Sequence, residues 1–154
     1  QVTIEKCTGT SGRNNSGLAL LVDGPSGERP ILLTGDARYS AIPSGFVDPM
    51  SIVVAHHGAD MRSKATPNCP HHVASRVAYS YGPANTFAHP RTCTYGNHQA
   101  NGWQHRASNP VGAIDRHTPD HRPNLGNIGL DWSGTSPLPT QPCGGWCSLQ
   151  LVQR

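Results

Sequence analysis

The chain alternates short apolar runs with stretches of Gly, Pro and polar residues. Short runs of leucine and β-branched residues that end at such turn residues are typical of β-strands. The strands predicted in this way lie at residues 2–6, 17–22, 31–34, 52–55, 76–81, 127–132 and 148–152. The DGPSG turn between the second and third strands predicts that these two strands pair antiparallel.

Helix is expected to be scarce. Pro90 suits the first position of a helix that runs to about Gly102. A short helix is expected at 71–75, and the connection over 37–49 has room for a turn or two of helix. The polar stretch 104–124, which is rich in His and Pro, is predicted to be a long surface loop.

Composition supports a loop-rich α/β protein. Charged residues make up 14% and hydrophobic residues 35% of the chain, while Gly (17 residues) and Pro (14 residues) are frequent. No repeat or linker divides the sequence, so residues 1–154 are expected to form a single unit. No apolar stretch has the length of a transmembrane helix, so we expect a soluble protein with no membrane partner.

Net charge limits the classes of binding partner, and cysteine content indicates the cellular compartment. The net charge of +3 comes from scattered basic residues, which argues against a nucleic-acid-binding tail but suits a phosphate-bearing substrate. Five cysteines cannot form a complete disulfide framework, and unpaired thiols favour a cytoplasmic location. The spacing of Cys143 and Cys147 fits a disulfide, a structural zinc site or ordinary buried thiols.

Two of the predicted strands are followed closely by residues of types that commonly bind metals. ILLTGD at residues 31–36 ends in Asp36, and SIVVAHHG at residues 51–58 contains His56 and His57. Active sites of α/β sheets lie at the carboxyl ends of the strands, so this pattern predicts one site formed by two neighbouring strands. Carboxylates and imidazoles are common ligands of divalent metals, and the chain has nine His. The pattern therefore favours a metal-dependent enzyme.

Four motifs occur in an order that is found in one enzyme family. They are NNSGLALLV at 14–22, LLTGD at 32–36, VVAHHG at 53–58 and SYGPANTFAHP at 80–90. In this order they resemble the patterns NNxSLVL, LLTGD, VPHHGS and SxGxxNxxxHP of the metallo-β-lactamase-fold hydrolases, in the branch similar to the hydrolase domain of the competence protein ComEC. The resemblance spans residues 2–132, and DHRPNLG at 120–126 is similar to the start of that branch's closing strand.

The resemblance implies an α/β fold that is the C-terminal half of a metallo-β-lactamase αββα sandwich. The family's HxHxDH loop, which lies in the first half of the fold and supplies most of the metal ligands, does not occur in this sequence. Three explanations stay open: a portion of a longer protein, one piece of a split hydrolase, or a degenerate domain without catalysis. A lone half-sandwich would leave one sheet face uncovered, so the N-terminal half is an expected partner, from the same or another chain.

The resemblance also implies roles for five residues. Asp36 would bridge two divalent ions. At least one of His56 and His57 would bind metal, while the other supports it or contacts the substrate. His89 would donate a proton to the leaving group, and Asn85 would bind the substrate or orient His89. Each residue also has a structural alternative, namely a turn-capping Asp, an exposed His pair, a helix-start His and a turn Asn.

The remaining polar residues lack such support. Most of the other histidines are expected to be exposed loop residues: His71, His72, His98, His105, His117 and His121. A zinc site would need Cys69, His71 and His72 to converge from a tight turn. Asn14, Asn15 and Ser16 lie where other relatives of the implied fold often have a further ligand histidine, so the second metal would lack that ligand. The tryptophans, among them Trp103, are expected to be core or interface residues.

The implied function is that of a metal-dependent hydrolase, of a phosphodiesterase or nuclease-like type. It would use a hydroxide activated by divalent metal, zinc or manganese, with two ions in the site. A phosphodiester or nucleic-acid substrate is implied by the resemblance alone, because a fold does not determine a function. The alternative is a catalytically degenerate scaffold of the same fold that docks a partner protein and holds no metal.

Overall fold

The computed structural model describes residues 1–9, 12–46, 48–60, 65–72, 74–81, 86–87, 89–103, 106–108, 130 and 132. The strands in this part of the chain are β1 (Val2–Lys6), β2 (Leu18–Val22), β3 (Ile31–Leu33), β4 (Ser51–Val53), β5 (Val77–Tyr79) and β6 (Arg106–Ser108), and its α-helix is α1 (Thr92–Ala100). Turns of 3-10 helix lie at Arg13–Ser16, Pro25–Gly27, Tyr39–Ala41 and Ala55–Gly58.

The six strands form one mixed sheet in which each strand lies beside the next one in the sequence. β1, β2 and β3 pair antiparallel, whereas β3, β4, β5 and β6 pair parallel. The pairing of β2 with β3 confirms the prediction from the DGPSG turn, and the sheet with its helix confirms a mixed α/β fold. Because parallel strands end at the same edge of a sheet, the segments that follow β3, β4 and β5 meet there.

The prediction of a surface loop over 104–124 is wrong at β6. Residues 106–108 pair parallel with β5, with Ala107 opposite Ala78. The tripeptide carries no apolar alternation, so nothing in its own sequence marks it as a strand. The closing strands predicted at 127–132 and 148–152 lie outside the described residues, apart from two residues of the first that are not in a strand.

The helix predictions are met in part. The helix predicted from Pro90 to Gly102 is observed as α1, which is shorter because Arg91 is extended and Gly102 has a φ of +87°. The helix predicted at 71–75 is wrong, because His71 adopts a φ of 56°, which a right-handed helix excludes. No helix in the described part of the chain has the length and apolar character that a membrane span requires.

One face of the sheet carries the hydrophobic core. Leu32, Ile52 and Val77 lie side by side on β3, β4 and β5, and all three are buried. The aromatic residues of the connections pack in the same core cluster, with Trp103 fully buried as predicted. The indole Nε1 of Trp103 donates a hydrogen bond to the carbonyl of Pro67 at 2.8 Å, which satisfies its one polar atom.

The opposite face of the sheet is apolar but open at the β1 side. Val2 and Ile4 of β1 are 54% and 57% exposed, and Leu18 of β2 is 57% exposed. Leu20 and Leu33, which are paired across β2 and β3, continue this face and are half-buried. Three adjacent large aliphatic side chains exposed to this degree on a sheet are unusual for a surface, because each forfeits the free energy of burial.

His98 corrects one expectation, because it is a core residue and not an exposed loop residue. Its side chain is fully buried on α1. Its Nδ1 lies 2.8 Å from the carbonyl of Thr94 and 2.8 Å from Tyr79 Oη, and its Nε2 lies 2.8 Å from Tyr39 Oη. A carbonyl only accepts, so Nδ1 carries the proton and Nε2 accepts from Tyr39. The imidazole thus joins the helix to the sheet.

Replacement of His98 by leucine is expected to destabilise the fold by about 2–5 kcal/mol, since it leaves the buried hydroxyls of Tyr39 and Tyr79 without this partner. Gln99→Leu, at the adjacent exposed position of α1, is the matched control and is expected to stay within about 0.5 kcal/mol. Urea unfolding followed by circular dichroism measures both. Equal stability of the two variants would show that the buried network is dispensable.

Candidate metal and active site

The residues that the sequence predicts to form a metal site follow the carboxyl ends of β3 and β4. Asp36 follows β3 and His57 follows β4, and the two strands are parallel neighbours. The Asp36 Oδ1 atom lies 3.2 Å from the His57 Nε2 atom, and the two side chains are 51% and 53% exposed. The structure therefore brings together one carboxylate and one imidazole of the predicted metal ligands.

Hydrogen bonds hold the two strand ends in this arrangement. The buried Thr34 hydroxyl donates to the carbonyl of Val53 at 2.8 Å, which ties the end of β3 to β4. One step further, the amide of His56 donates to the carbonyl of Gly35 at 2.9 Å. Burial raises the pKa of Tyr39, and a hydrogen bond with the backbone of Ala55 lowers this pKa in part. The core network thus reaches the first residue of the Ala55–Gly58 turn.

The backbone of this turn is strained. His56 and His57 have φ values of 49° and 54°, in the left-handed region that non-glycine residues rarely adopt. Such residues cost on the order of 1–3 kcal/mol each and cluster at functional sites. Gly58, with a φ of +84°, continues the same conformation, and its carbonyl accepts from the amide of Arg91 at 2.7 Å. This turn aims the two imidazoles in different directions.

His57 is oriented by a backbone carbonyl. Its Nδ1 lies 2.7 Å from the carbonyl oxygen of Ser80, at the end of β5. Since a carbonyl only accepts, Nδ1 carries the proton, and Nε2 is the atom that faces the Asp36 carboxylate. A lone pair on Nε2 would repel that carboxylate. A proton or a metal ion in the gap would relieve that repulsion.

His56 faces a different neighbour. Its Nε2 lies 3.3 Å from the Nδ2 amide nitrogen of Asn14, on the Arg13–Ser16 turn. With the amide nitrogen as donor, Nε2 of His56 is the acceptor. The ring also meets that of His89 edge-on, with centroids 5.5 Å apart. Of the two candidate histidines, His57 contacts the carboxylate and His56 borders the surface next to it.

His89 lies beside the site, half-buried, with its ring stacked on the exposed ring of Phe87 at 5.9 Å between centroids. Burial lowers the pKa of His89, and the nearby His56, Arg91 and His57 lower it further, while Asp36 raises it. A lowered pKa favours the neutral imidazole near pH 7. The other residue predicted to act in catalysis, Asn85, lies outside the described residues.

Asp36 and His57 fit a divalent cation as far as two ligands can. Two ligands about 2.1 Å from one ion, at angles of about 90–110°, lie roughly 3.0–3.4 Å apart, and the observed separation is 3.2 Å. A histidine ligand commonly donates its second ring N–H to a backbone carbonyl, as His57 does to Ser80. Within the described ranges, however, no group of three or more His, Cys, Asp or Glu residues is arranged to hold a metal.

Several features of the site are not visible in the sequence. The Ser80 carbonyl is a backbone atom, and the role of Tyr39 depends on a tertiary contact with His98. Elsewhere, the amide of His71 lies 3.3 Å from the Cys69 sulfur, but these residues belong to no metal-binding group among those described. Cys143 and Cys147 lie outside the described residues.

Comparison with known proteins adds no relative. No family model, curated protein or solved structure matches this chain.

Gly58→Ala is expected to destabilise the protein by about 2–4 kcal/mol. The added Cβ would overlap Pro90 and lie 3.2 Å from Tyr79 Cδ1, at a φ of +84°. Gly12→Ala has a similar φ of +82° but an open surrounding, and Gly45→Ala has neither constraint. Urea unfolding should therefore rank the loss of stability as Gly58, then Gly12, then Gly45. A Gly58 variant as stable as the Gly45 variant would contradict the described packing.

Proposed function

We propose that this chain is the C-terminal half of a metallo-β-lactamase-like αββα hydrolase that cleaves phosphodiesters with the help of divalent metal. The observation that carries the proposal is the 3.2 Å approach of Asp36 Oδ1 to His57 Nε2, with His57 Nδ1 committed to the Ser80 carbonyl. The pair lies at the carboxyl ends of parallel strands, where α/β enzymes hold their active sites. The order of the sequence motifs supports the same fold.

In this proposal Asp36 and His57 would hold the metal. A divalent ion bound there would lower the pKa of water towards neutrality and offset the charge that develops on the leaving oxygen. His56 contacts the substrate, because its ring borders the surface next to the pair and not the pair itself. The ring of His89 lies edge-on against that of His56, with centroids 5.5 Å apart, so His89 would meet the substrate on the same side as His56. Zinc and manganese both suit an oxygen and nitrogen ligand set.

The remaining metal ligands would come from the N-terminal half of the sandwich, from the same or another chain. The open apolar face of the sheet supports this part of the proposal, since Val2, Ile4 and Leu18 are each more than half exposed. Two sheets that pack face to face bury such side chains between them. A second layer on this face would complete the sandwich, and its loops would reach the strand ends that carry Asp36 and His57.

A non-catalytic scaffold that docks a partner protein is the second candidate function. The observation that favours it is that the described residues contain no group of three or more His, Cys, Asp or Glu arranged to hold a metal; the open apolar face fits either candidate. In that case the Asp36 carboxylate and the His57 imidazole would form an ordinary ion pair with a proton in the gap. The two candidates differ in metal content, which can be measured directly.

Asp36→Asn is expected to remove metal from the complete protein and to abolish cleavage of a generic phosphodiester such as bis(p-nitrophenyl) phosphate. The amide keeps the shape of the side chain but loses the charge that a divalent ion requires. The loss of metal affinity should exceed the about 10–100-fold that removal of a supporting partner costs. Metal content after dialysis and initial hydrolysis rates are the measurements.

Asp23→Asn is the matched control, because Asp23 follows β2 at the opposite end of the sheet. It is expected to leave both the metal content, about two equivalents, and the hydrolysis rate unchanged. A complete wild-type protein that retains no metal would exclude the hydrolase and leave the scaffold. Equal metal content in the Asp36 and Asp23 variants would move the site elsewhere.

A further inference from the structure

Next to the Asp36–His57 pair lies a concave surface with an excess of positive charge. It is a cavity of about 360 Å³ that is lined by Gly12, Arg13, Asn14, Asn15, Arg38 and His56. Its lining residues in the described part of the chain include no carboxylate, although Asp36 is close in sequence to Arg38. Its volume lies within the range of about 300–1,000 Å³ that is usual for small-molecule sites. We call it the arginine cavity.

The guanidinium groups of Arg13 and Arg38 lie at the protein surface. Both side chains are exposed, and within the described part of the chain neither guanidinium forms an ion pair or a hydrogen bond. A guanidinium presents five N–H donors in a planar fork that matches the oxygens of a phosphate. Two such groups around one cavity, whose described lining residues include no carboxylate, are suited to an anion.

The cavity is also held in shape before any ligand binds. The side-chain oxygen of Asn15 accepts a hydrogen bond from the amide of Arg38 at 3.2 Å, and the carbonyl of Asn15 accepts one from the amide of Gly9 at 3.0 Å. These bonds fix the turn that carries Arg13 against the segment that carries Arg38. The backbone is therefore ordered before a ligand binds, so binding costs less conformational entropy and the affinity is higher.

The arginine cavity adjoins the Asp36–His57 pair without including it. His56 lines the cavity, and the next residue, His57, contacts Asp36. Neither Asp36 nor His57 lines the cavity. An anion bound between the arginines would therefore lie beside the pair, on the His56 side, and not at the pair itself.

We propose that the arginine cavity is a phosphate subsite that binds, through Arg13, Arg38 and Asn14, a phosphate next to the scissile one in a substrate with more than one phosphate. This inference rests on the proposed function for the position of the scissile phosphate, and on the cavity alone for the binding of phosphate. The two parts can fail separately. The substrate class that fits is a chain of phosphodiesters, whose neighbouring phosphates are covalently linked.

The binding test uses inorganic phosphate and the complete protein after removal of metal by a chelator. Isothermal titration is expected to give a Kd for the wild type that rises at least about tenfold in the double variant Arg13→Gln, Arg38→Gln, because charged hydrogen bonds are lost. Arg29→Gln, which removes an equal charge in the turn at the other end of the sheet, should change the Kd less than twofold. The variant Arg13→Lys, Arg38→Lys, which keeps the charge but not the fork, should lie between.

The catalytic test compares two substrates on the metal-loaded protein. The double glutamine variant is expected to raise KM for a short oligonucleotide about tenfold or more. KM for bis(p-nitrophenyl) phosphate, which has a single phosphate, should stay the same, and so should kcat and metal content. Equal losses on both substrates would assign the arginines to the reacting group and overturn the subsite.

The outcomes separate the subsite from the hydrolase. Phosphate binding that is lost in the glutamine variant but kept in Asp36→Asn, in a protein that holds no metal, supports the cavity and rejects the proposed function. Phosphate that binds the glutamine variant as tightly as the wild type rejects the subsite, whatever the metal content. Acetate that binds as tightly as phosphate would also overturn it, since a carboxylate ligand would then serve as well.

Discussion

The register between β3 and β4 is the constraint on which the candidate site depends. Leu33 lies opposite Val53 in this pairing, and the Thr34 hydroxyl extends it by one residue through its bond to the Val53 carbonyl. A slip of one residue would move one strand by about 3.3 Å relative to the other, which is as long as the 3.2 Å contact between Asp36 and His57. It would also turn the apolar side chain of one of the two strands, Leu32 or Ile52, out of the core, so burial of the core face enforces the register on which the polar site depends.

The strain in the Ala55–Gly58 turn has a compensating structure around it. Left-handed conformations at His56 and His57 persist because both ends of the turn are fixed. On one side the amide of His56 bonds to Gly35, and on the other Gly58 packs closely on Pro90. The result is that consecutive histidines separate, one towards the carboxylate and one towards the arginine cavity. A relaxed, extended strand end would also direct neighbouring side chains apart, but it would not bring the backbone back to Gly35.

Much of the framework could be predicted from the sequence, because it depends on local pattern. The strand at 2–6 and the turn into β3 follow from alternation and turn residues. Asp36 and His57 meet because each follows the end of one of two neighbouring parallel strands. The choice of His57 over His56 could not be predicted, since it depends on left-handed backbone and on the Ser80 carbonyl. The burial of His98 could not be predicted either, because it also depends on tertiary contacts. Its two tyrosine partners are distant in the chain, and a histidine on a short polar helix has no mark of a core residue.

The exposure of the apolar sheet face and the exposure of the Asp36–His57 pair have related consequences. The carboxylate and imidazole are about half exposed, so water screens their mutual attraction and competes for any cation between them. A covering layer on the apolar face would remove water from the strand ends and strengthen that electrostatic interaction. It would also raise the cost of an incompletely coordinated ion, unless the same layer supplied ligands. Burial of Ile4 and Leu18 and tight metal binding at Asp36 are therefore expected to be gained together. A partner that covers the face without adding ligands would favour a proton, and not a metal, between the two side chains.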